Sequence, residues 1–584
     1  MRNAEKIPCD VLYRPQSLKY HEDIRMFQGC PTIAVTKGGR IYLGWYSGGT
    51  TEPHMSNYNL LVYSDDKGTT WSDPLLVIPS SYERCVHALD IQLFIDPKGR
   101  LHVQWVQNNT EPAPKERPQA RAGQPLCFVD GYMFNDFMHS EWEIICEEPD
   151  AEEPVFSDPR YVYPGFLRCK PTFLANGDWL CFAYDQLTDR YGYSISTDGG
   201  ESFTHCYGSK KLATYFDEAM AYQREDGSVR MFARTGLGEL AESYSCDNGR
   251  SWSETVQSGI VSADTRFYVK KLSSGRVLLV RNDNRKSRSH MTLCLSEDDG
   301  RTWKYRLCID ERSDISYPDA DELNGRIYLT YDRERVGAKE ILFTSFTEED
   351  IMEKRKIEMS VVSKPMEVPA KAEVIKAVED NKIVAILRGV PGEKVVAVAK
   401  ALYDGGIRLL EITYDASGKV SDEETAKNIG ILAKEFAGKL YVGAGTVITA
   451  EQVRLTKAAG GLFIISPNTD EEVIKESVHC GLVSMPGALT PSEIMQAHKY
   501  GADFVKLFPI SNFGTGYVKA IKAPLSHIKL LAVGGIDENN IRDYMKTGVC
   551  GFGIGSNIVS KKLVDSDDYA GMTELARKYV EAVK

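Results

Sequence analysis

Lys506 is the residue of this sequence whose surroundings point most directly to chemistry. It lies within the apolar run FVKLFP, and Glu411 lies within a second apolar run, RLLEIT. Removing an amine from water disfavours its charged form, so its pKa falls and the neutral nucleophile becomes accessible near neutral pH. Such an amine can attack a 2-keto group, and the protonated imine then draws electrons from the C3–C4 bond. Glu411 is a candidate to shuttle protons during imine formation and bond cleavage.

Short apolar strands alternate with helical stretches around these two residues, from about residue 370 to residue 584. Eight such strands are predicted, as a (β/α)8 barrel requires: KIVAILRG, RLLEIT, LYVGAGT, GLFIISP, GLVSMPG, FVKLFP, KLLAVGG and GFGIGS. Functional side chains of these barrels lie at the carboxyl ends of the strands. The ends here are Arg388, Glu411, Thr446, Pro467, Lys506, Gly534 with Gly535, and Gly555 with Ser556.

This region resembles, end to end, the class I aldolases of the 2-keto-3-deoxy-6-phosphogluconate and 4-hydroxy-2-oxoglutarate type. The resemblance implies that Lys506 forms the Schiff base, that Glu411 moves protons, and that no cofactor takes part. It also implies contacts to the pyruvyl carboxylate and the substrate hydroxyls from Arg388 and Thr446, with Pro467 as a further binding residue. A phosphate cradle is expected from backbone N–H groups of the last two barrel loops, at Gly534, Gly535, Gly555 and Ser556.

Two further expectations follow from the same resemblance. Members of the family associate through the barrel, so a homotrimer is expected. Phosphogluconate members often carry Arg two residues after E-[VI]-T, whereas this sequence carries Asp415. Because a carboxylate does not bind an anionic group, the natural substrate is expected to differ at its distal end.

The first 350 residues have a different rhythm, in which short alternating strands such as RIYLGWYS and RVLLVRND follow Gly turns. Four segments match S-x-D-x-G-x-[ST]-[WF], and they begin at Ser64, Ser196, Ser245 and Ser296. Each motif is typical of a compact turn in which Asp caps backbone N–H groups and Gly takes a positive φ. Spacings near 50 residues are the length of one four-stranded blade. The pattern predicts a six-bladed β-propeller over residues 1–358, a linker at 359–369 and the barrel at 370–584.

These repeats resemble the Asp boxes of the sialidase superfamily. Members bind a substrate carboxylate with three arginines and use a Tyr nucleophile assisted by Glu, because a carboxylate nucleophile would be repelled by the acid group of the sugar. Similar positions in this sequence occur in the same order along the chain. They are Arg25 as the first arginine, Glu218 as the carboxylate, Arg234 and Arg288 as the other arginines, and Tyr317 as the nucleophile.

The general acid of the propeller is not found where the resemblance places it. The stretch between Arg25 and the first box holds Glu52 and His54 but no Asp before Asp65. Glu52 is therefore the first candidate and His54 the second, and another acidic sugar than sialic acid is a possible substrate. Further residues could line the central cavity or form salt bridges at blade edges: Asp90, Arg168, Lys170, Arg266, Arg333 and Arg335.

Composition excludes several classes of protein. Apolar residues make up 42% and charged residues 26%, which is typical of a globular protein rather than a disordered or membrane one. A formal charge of -12 argues against a nucleic-acid partner. The polar start MRNAEKIPCDVLYRPQ lacks the apolar core of a signal peptide, and 13 scattered cysteines without CxxC pairs indicate reduced thiols. A cytoplasmic protein without a structural metal or membrane partner is expected.

The sequence therefore predicts a bifunctional enzyme of acidic-sugar catabolism. The propeller would act on an acidic glycoside, and the barrel would cleave a 2-keto-3-deoxy acid to pyruvate and an aldehyde. Two alternatives stay open for the propeller. In the first, the propeller is a lyase, epimerase or isomerase of a uronate-type sugar. In the second, it is a noncatalytic module that binds sugar or supports assembly.

Overall fold

A computed structural model describes residues 3–15, 17, 20–113, 126–129, 131–184, 188–214, 216–365, 369 and 371–584. The chain divides into two compact units, one formed by residues 1–16 and 25–365 and the other by residues 17–24 and 366–584. Residues 366–368 and 370, at the predicted linker and barrel start, lie outside the described residues. Among the described residues, no helix is both long and apolar enough to span a membrane.

The first unit contains seven antiparallel sheets, two of which belong to blade three, and these form the six blades that were predicted. A short helix, α1 (Asn3–Lys6), precedes the first blade. Blade one contains β1 (Leu12–Tyr13), β2 (Phe27–Val35), β3 (Ile41–Gly48), β4 (Tyr58–Ser64) and β5 (Leu76–Pro79). Blade two contains β6 (Val86–Ile95), β7 (Leu101–Pro112), β8 (Leu126–Val129), β9 (Tyr132–Cys146) and β10 (Arg160–Pro164). Blade three contains β11 (Phe166–Leu167), β12 (Thr172–Phe173), β13 (Trp179–Cys181), β14 (Ala183–Tyr184), β15 (Arg190–Ser196) and β16 (Thr204–Lys210).

The remaining three blades have four strands each. Blade four contains β17 (Ala219–Gln223), β18 (Val229–Ala233), β19 (Glu239–Ser245) and β20 (Val256–Val261). Blade five contains β21 (Tyr268–Lys271), β22 (Val277–Asn282), β23 (Met291–Ser296) and β24 (Tyr305–Asp310). Blade six contains β25 (Ile315–Leu323), β26 (Arg326–Arg333), β27 (Glu340–Thr347) and β28 (Ser360–Ser363), with α2 (Glu348–Met352) before the last strand. The strand β28 thus lies within the stretch predicted as linker.

The Asp boxes form the turns between the last two strands of blades one, three, four and five. In blade four, the Asp247 carboxylate accepts hydrogen bonds from Ser251 N (2.8 Å) and Arg250 N (3.0 Å), and Gly249 adopts a φ of 83°. Burial raises the pKa of Asp247, but these donors, led by Ser251, outweigh it and lower the pKa to about 2. The box is therefore a turn in which the Asp carboxylate accepts from backbone N–H groups of the same turn.

Three innermost strands of the propeller carry a bulge with a non-glycine residue at positive φ. The pairing register shifts between Gly29 and Thr32 in β2, between Leu89 and Ile91 in β6, and between Ser316 and Asp319 in β25. The residues inside these bulges are Cys30 (φ 54°), Asp90 (φ 33°) and Tyr317 (φ 54°). Bulges of this kind re-aim a side chain, here at the axial end of the strand.

The second unit is a closed parallel barrel, as predicted. Its sheet joins β29 (Ile383–Leu387), β30 (Leu409–Thr413), β31 (Tyr441–Gly445), β32 (Phe463–Ile465), β33 (Val483–Met485), β34 (Gly487–Ala488), β35 (Val505–Leu507), β36 (Leu530–Val533) and β37 (Gly551–Ile554). The strands β33 and β34 are two parts of the fifth predicted strand, interrupted at Pro486. The eight predicted strands are therefore all present.

Helices surround this barrel and cover its outer face. They are α3 (Lys371–Asn381), α4 (Val395–Asp404), α5 (Asp422–Glu435), α6 (Ala450–Ala458), α7 (Glu471–His479), α8 (Pro491–Tyr500), α9 (Gly514–Lys522), α10 (Ile541–Met545), α11 (Lys561–Asp565) and α12 (Tyr569–Ala582). Several begin at a side chain that caps a backbone N–H, for example Ser421, Thr449 and Asp470. Val505 and Leu507 pack in the core between strands and helices, so alternation along β35 directs Lys506 inward.

Gly200 offers a test of blade packing, because a Cβ there would lie 2.4 Å from the Trp179 ring. Gly227 is a matched control, since its φ of 83° is close to the 88° of Gly200 but no atom lies within 4 Å of its Cβ position. Gly200→Ala is expected to destabilise the propeller by about 1–3 kcal/mol more than Gly227→Ala, through overpacking alone. All seven tryptophans precede residue 304, so tryptophan fluorescence during denaturation reports this unit. Equal shifts for both variants would contradict the packing seen around Trp179.

Candidate active sites

Lys506 lies inside the barrel and is 7% exposed. Its Nζ lies 4.7 Å from the centre of the Phe508 ring. Burial lowers the pKa of Lys506, and Arg388 lowers it further, while Glu411 acts in the opposite direction. The pKa stays below its ordinary value because the loss of hydration outweighs the attraction of one carboxylate. The amine is thus biased toward its neutral, nucleophilic form.

Glu411 is the buried carboxyl group that acts on Lys506 electrostatically. It is 2% exposed, and its Oε2 atom has no hydrogen-bond partner among the described residues. Burial raises the pKa of Glu411, although Lys506 and Arg388 oppose the shift. Gly445 makes room for this side chain, because a Cβ there would lie 2.4 Å from Oε1 of Glu411. A carboxyl group with a raised pKa and an unused oxygen can both give and take a proton.

The other predicted barrel residues lie at the strand ends. Arg388 is exposed and its Nη2 donates to Oγ1 of Thr446 at 3.1 Å. Thr446 has a φ of 57°, a left-handed conformation that follows directly after β31. Pro467 packs against Gly487, whose Cα neighbour across the sheet is Lys506. These polar groups form a partly exposed rim at the strand ends, whereas the amine and the carboxyl group lie deeper.

The predicted phosphate cradle lies at the ends of β36 and β37. Gly534 and Gly535 have φ values of 94° and 75°, and a Cβ at Gly535 would lie 2.5 Å from Cβ of Ser511. Gly555 and Ser556 follow β37 and are partly or fully exposed. Exposed backbone at two neighbouring loops suits an anionic group.

The Asp415 carboxylate is engaged within its own loop. Its carboxylate accepts from Ser417 N (2.9 Å), Lys419 N (3.0 Å) and Val420 N (3.1 Å), so it caps its own loop. These hydrogen bonds, led by Ser417, lower its pKa to about 2. The residue therefore stabilises the loop conformation at the position where an arginine was anticipated.

The propeller has an axial cavity of about 210 Å³ in which four arginines surround Tyr317. The Tyr317 hydroxyl donates to Oε1 of Glu218 at 2.6 Å and accepts from Nη1 of Arg168 (2.5 Å) and of Arg234 (3.3 Å). Burial raises the pKa of Tyr317, with Arg168 as the main opposing charge. Glu218 lies opposite Arg234 at the end of a hairpin, with Nη1 of Arg234 3.0 Å from Oε2. Burial raises the pKa of Glu218, but Arg234 and Arg168 lower it to about 2.

Charge in this cavity is unevenly compensated. Arg335 contacts Oε2 of Glu52 (3.1 Å) and Asp332 (2.9 Å), and its guanidinium lies 4.2 Å from the centre of the Tyr317 ring. Arg288 also lines the cavity and lies 5.8 Å from that ring, and its Nη2 atom donates to the backbone oxygen of Asp264 at 3.2 Å. Arg288 is therefore well placed to pair with an incoming anion.

Glu52 and Asp90 form a coupled pair beside Arg168. Oε1 of Glu52 lies 3.1 Å from Arg168, and Oδ2 of Asp90 lies 2.5 Å from the same Nη2 atom in a geometry that makes no hydrogen bond. Burial favours a higher pKa for both groups. Arg168 and Arg335 nevertheless lower the pKa of Glu52, whereas burial outweighs Arg168 at Asp90 and raises its pKa to about 6. The environment therefore pushes the pKa values of the two carboxyl groups apart, and that of Asp90 is the higher.

Two sequence predictions for the cavity need correction. Arg25 lies outside the cavity, where its Nη1 donates to Ser363 Oγ (2.9 Å) and its guanidinium packs 5.5 Å from the Trp45 ring. Arg25 precedes β2, whereas the bulge that faces the axis lies further along that strand. At the bulge the Arg335 side chain passes over Gly29, and its atoms lie 2.8 Å from the position that a Cβ of Gly29 would occupy. His54 is buried away from the cavity lining, and its Nδ1 accepts from Ser56 N at 3.1 Å.

The sequence named Arg168, Arg335 and Asp90 only as residues that could line the cavity or form salt bridges at blade edges. Arg168 follows the two-residue strand β11, Arg335 follows β26 in the run YDRER, and Asp90 lies in the bulge of β6. The available signal for the two arginines was their position at strand ends of different blades, which salt bridges at blade edges would have explained equally well.

Cys30, Glu52 and Asp90 are the described residues whose spacing best fits a cation, with ligand atoms within 4.8 Å of one another. Burial raises the pKa of the Cys30 thiol well above its usual range, and Arg168 and Arg335 already neutralise the carboxylates. The group therefore fits a metal ion poorly.

Comparison with known proteins identifies the second unit. Residues 374–575 match the family model for KDPG and KHG aldolase. A probable 2-dehydro-3-deoxy-6-phosphogalactonate aldolase of Rhizobium meliloti is 37% identical over 180 residues, which are 31% of this chain and 82% of that protein. The chain belongs to the KDPG and KHG aldolase family. The KHG/KDPG aldolase of Escherichia coli K12 is 36% identical over 195 residues, covering 33% of this chain and 87% of the relative. The sequence-based assignment of this aldolase unit is confirmed.

The first unit matches a second family model, the BNR repeat-like domain, over residues 150–329. The match confirms the sialidase-like character that the Asp boxes indicated. The NanB sialidase from Streptococcus pneumoniae is 16% identical, with a TM-score of 0.44, over 59% of this chain and 71% of that chain.

The position of Arg335 depends on the missing side chain at Gly29, which yields a structural prediction. Gly29→Ala is expected to move Arg335 away from Glu52, because the new Cβ would overlap its side chain. Propeller stability should fall by roughly 1–3 kcal/mol, as for other overpacked sites. Gly236→Ala is the control, since its nearest neighbour lies at 3.5 Å. Crystal structures and tryptophan-monitored unfolding of both variants test this, and an unmoved Arg335 would contradict it.

Proposed function

We propose that the aldolase unit cleaves a 2-keto-3-deoxy sugar acid to pyruvate and an aldehyde through a Schiff base on Lys506. The observation that carries this proposal is a buried amine of lowered pKa beside a buried carboxyl group with an unused oxygen. Neutral Lys506 attacks the 2-keto carbon, and loss of water yields the protonated imine. Glu411 accepts the proton of the C4 hydroxyl as the C3–C4 bond breaks, and later returns a proton to C3.

The two ends of this substrate are held differently. Arg388 and Thr446 are proposed to bind the pyruvyl carboxylate, with Pro467 shaping the same side. The loops at Gly534–Gly535 and Gly555–Ser556 are proposed to hold a distal phosphate by backbone N–H groups. Because Asp415 is committed to its own loop, it contributes no recognition of the distal end. A homotrimer formed through the barrel and a cytoplasmic location complete the proposal for this unit.

For the propeller we propose hydrolysis of an acidic glycoside. Tyr317 would attack the anomeric carbon while Glu218 accepts its proton across the 2.6 Å hydrogen bond. Arg234, Arg288 and Arg335 would bind the substrate carboxylate. Glu52 would protonate the leaving oxygen, with Asp90 as the proton source of the pair. The released sugar would be a 2-keto-3-deoxy acid or lead to one, which connects the two activities chemically.

One observation favours a second candidate activity. The pKa of Glu52 is lowered by Arg168 and Arg335, which favours the ionised form and leaves less of the protonated form to act as a general acid. The Tyr317 oxygen accepts two guanidinium hydrogen bonds, which would also stabilise a phenolate acting as a base. A lyase, epimerase or isomerase that removes a proton next to a sugar carboxylate would need that base and no glycosidic acid. A binding module would need the arginines but not the Tyr317–Glu218 pair.

Lys506 is tested by trapping. Borohydride with pyruvate should label one site per chain, and Lys506→Ala should abolish the label because the nucleophile is gone. Lys529→Ala is the control, since this lysine lies directly before β36, and it should leave the label in place. Stoichiometric labelling of Lys506→Ala would show that another lysine forms the imine.

Glu411 is tested by the pH dependence of that trapping. In Glu411→Gln, cleavage should fall by roughly two to four orders of magnitude, the usual share of acid–base catalysis. The carboxylate raises the pKa of Lys506, so its removal should lower that pKa and move the trapping midpoint to lower pH. Glu435→Gln, exposed on α5, should shift neither quantity. A midpoint that rises or stays fixed would remove Glu411 from the environment of the amine.

The propeller is tested in the full chain with Lys506→Ala, which silences the aldolase. A panel of acidic glycosides is assayed for reducing sugar and for unsaturated products, which separates hydrolysis from elimination. Arg288→Ala should weaken binding of a carboxylate sugar by about 2–5 kcal/mol, as for one partner of a desolvated charge pair. Arg326→Ala, on blade six and outside the cavity, is the control. Equal affinity in both variants would contradict an anion site at Arg288.

A further inference from the structure

A second cleft of about 450 Å³ lies between the outer strands of blades four and five. Its walls come from residues 258–261 of β20, from β18 and β22, and from the Asp-box turn that connects β23 to β24. None of its described lining residues lines the axial cavity. The cleft is therefore a separate feature of the propeller, and the proposed function makes no use of it.

The lining of this cleft is strongly basic. None of its described lining residues is an Asp or a Glu. Four of them are arginines, namely Arg230, Arg281, Arg301 and Arg306. Two of them form ion pairs with carboxylates that do not line the cleft, since Arg230 contacts Glu242 at 2.5 Å and Arg281 contacts Asp283 at 2.6 Å. In a protein with a formal charge of -12, a carboxylate-free cleft of this kind attracts anions.

The remaining two arginines are the accessible ones. Arg301 belongs to the Asp-box turn and Arg306 to β24, and both are exposed. Neither forms an ion pair with any residue in the described part of the chain. Guanidinium groups at such positions can form bidentate contacts with a carboxylate without first breaking an ion pair.

Arg281 supplies an independent sign that a ligand is accommodated. The residue is 2% exposed, and its Nε atom has no hydrogen-bond acceptor among the described residues. A buried N–H without an acceptor is costly, so an acceptor brought to it by a ligand would be favourable. Arg281 lines the same cleft as the two exposed arginines.

Trp303 indicates the kind of anion. It is the aromatic residue of the Asp box that carries Arg301, and it is only partly buried. Trp303 lines the cleft together with the arginines. An aromatic residue beside guanidiniums suits a sugar ring that bears a carboxylate, because the aromatic ring can pack on the apolar face of the sugar while the arginines hold the acid.

We propose that this cleft binds an acidic saccharide through Arg281, Arg301, Arg306 and Trp303, apart from the axial site. The proposed function supplies only the class of ligand, and the cleft itself is argued from its own residues. It would hold a carboxylate-bearing chain on the propeller surface and raise the local concentration of substrate. The Asp box of blade five is then a binding element as well as a turn.

The test is isothermal titration of trigalacturonate into the full chain at low ionic strength. Arg301→Ala with Arg306→Ala should weaken binding at one class of site by about tenfold or more, since two charge-assisted contacts are lost. Arg326→Ala should bind like the wild type, and maltotriose, which has no carboxylate, should not bind. Both substituted arginines are exposed, so the fold and the aldolase activity should be retained.

Arg288→Ala separates this proposal from the axial one. It should leave binding at the cleft intact, so loss of trigalacturonate binding in Arg288→Ala alone would overturn the cleft. Unchanged binding in the Arg301→Ala, Arg306→Ala double variant would overturn it as well. Binding of inorganic sulfate without binding of trigalacturonate would do the same, because the cleft would then hold a small inorganic anion. If Arg288→Ala has no effect while the double variant loses affinity, the cleft stands and the axial site fails.

Discussion

Both sites depend on the cost of taking charge out of water. In the aldolase unit that cost is left largely uncompensated, so Lys506 is biased toward a neutral amine and Glu411 toward a neutral acid. In the propeller the cost is met by dense pairing, in which the Arg168 guanidinium contacts Glu52, Asp90 and Glu218. Incomplete compensation favours a neutral amine, whereas dense compensation keeps several charged groups together in one buried cavity.

Backbone irregularities provide the second shared theme. Regular strands alternate side chains between two faces, which leaves few positions aimed along a propeller axis. The bulges at Cys30, Asp90 and Tyr317 overcome this limit and turn their side chains toward the centre. The barrel needs no such device, because the inward positions of its strands already face a common interior. At the carboxyl ends of its described strands, Thr446 is the non-glycine residue that adopts a left-handed conformation.

Roles in the propeller were harder to infer than in the barrel for a related reason. Glu218 and Arg234 are recognisable because a hairpin places them opposite each other at short sequence separation. Arg335 and Glu52 are 283 positions apart and come together only when blades one and six meet. The sequence pattern near Arg25 was informative about the blade but not about which arginine reaches the axis.

The sequence by itself determined the two folds, the eight barrel strands, and the inward positions of Lys506 and Glu411. Local periodicity and strand alternation carry that information, since neighbours along the chain set which face a residue occupies. The tertiary structure alone decided that Arg335 rather than Arg25 reaches Tyr317, and that the pKa of Asp90 is raised while that of Glu52 is lowered. Both depend on contacts between distant blades and on burial, and burial sets a pKa only after the chain has closed around the group.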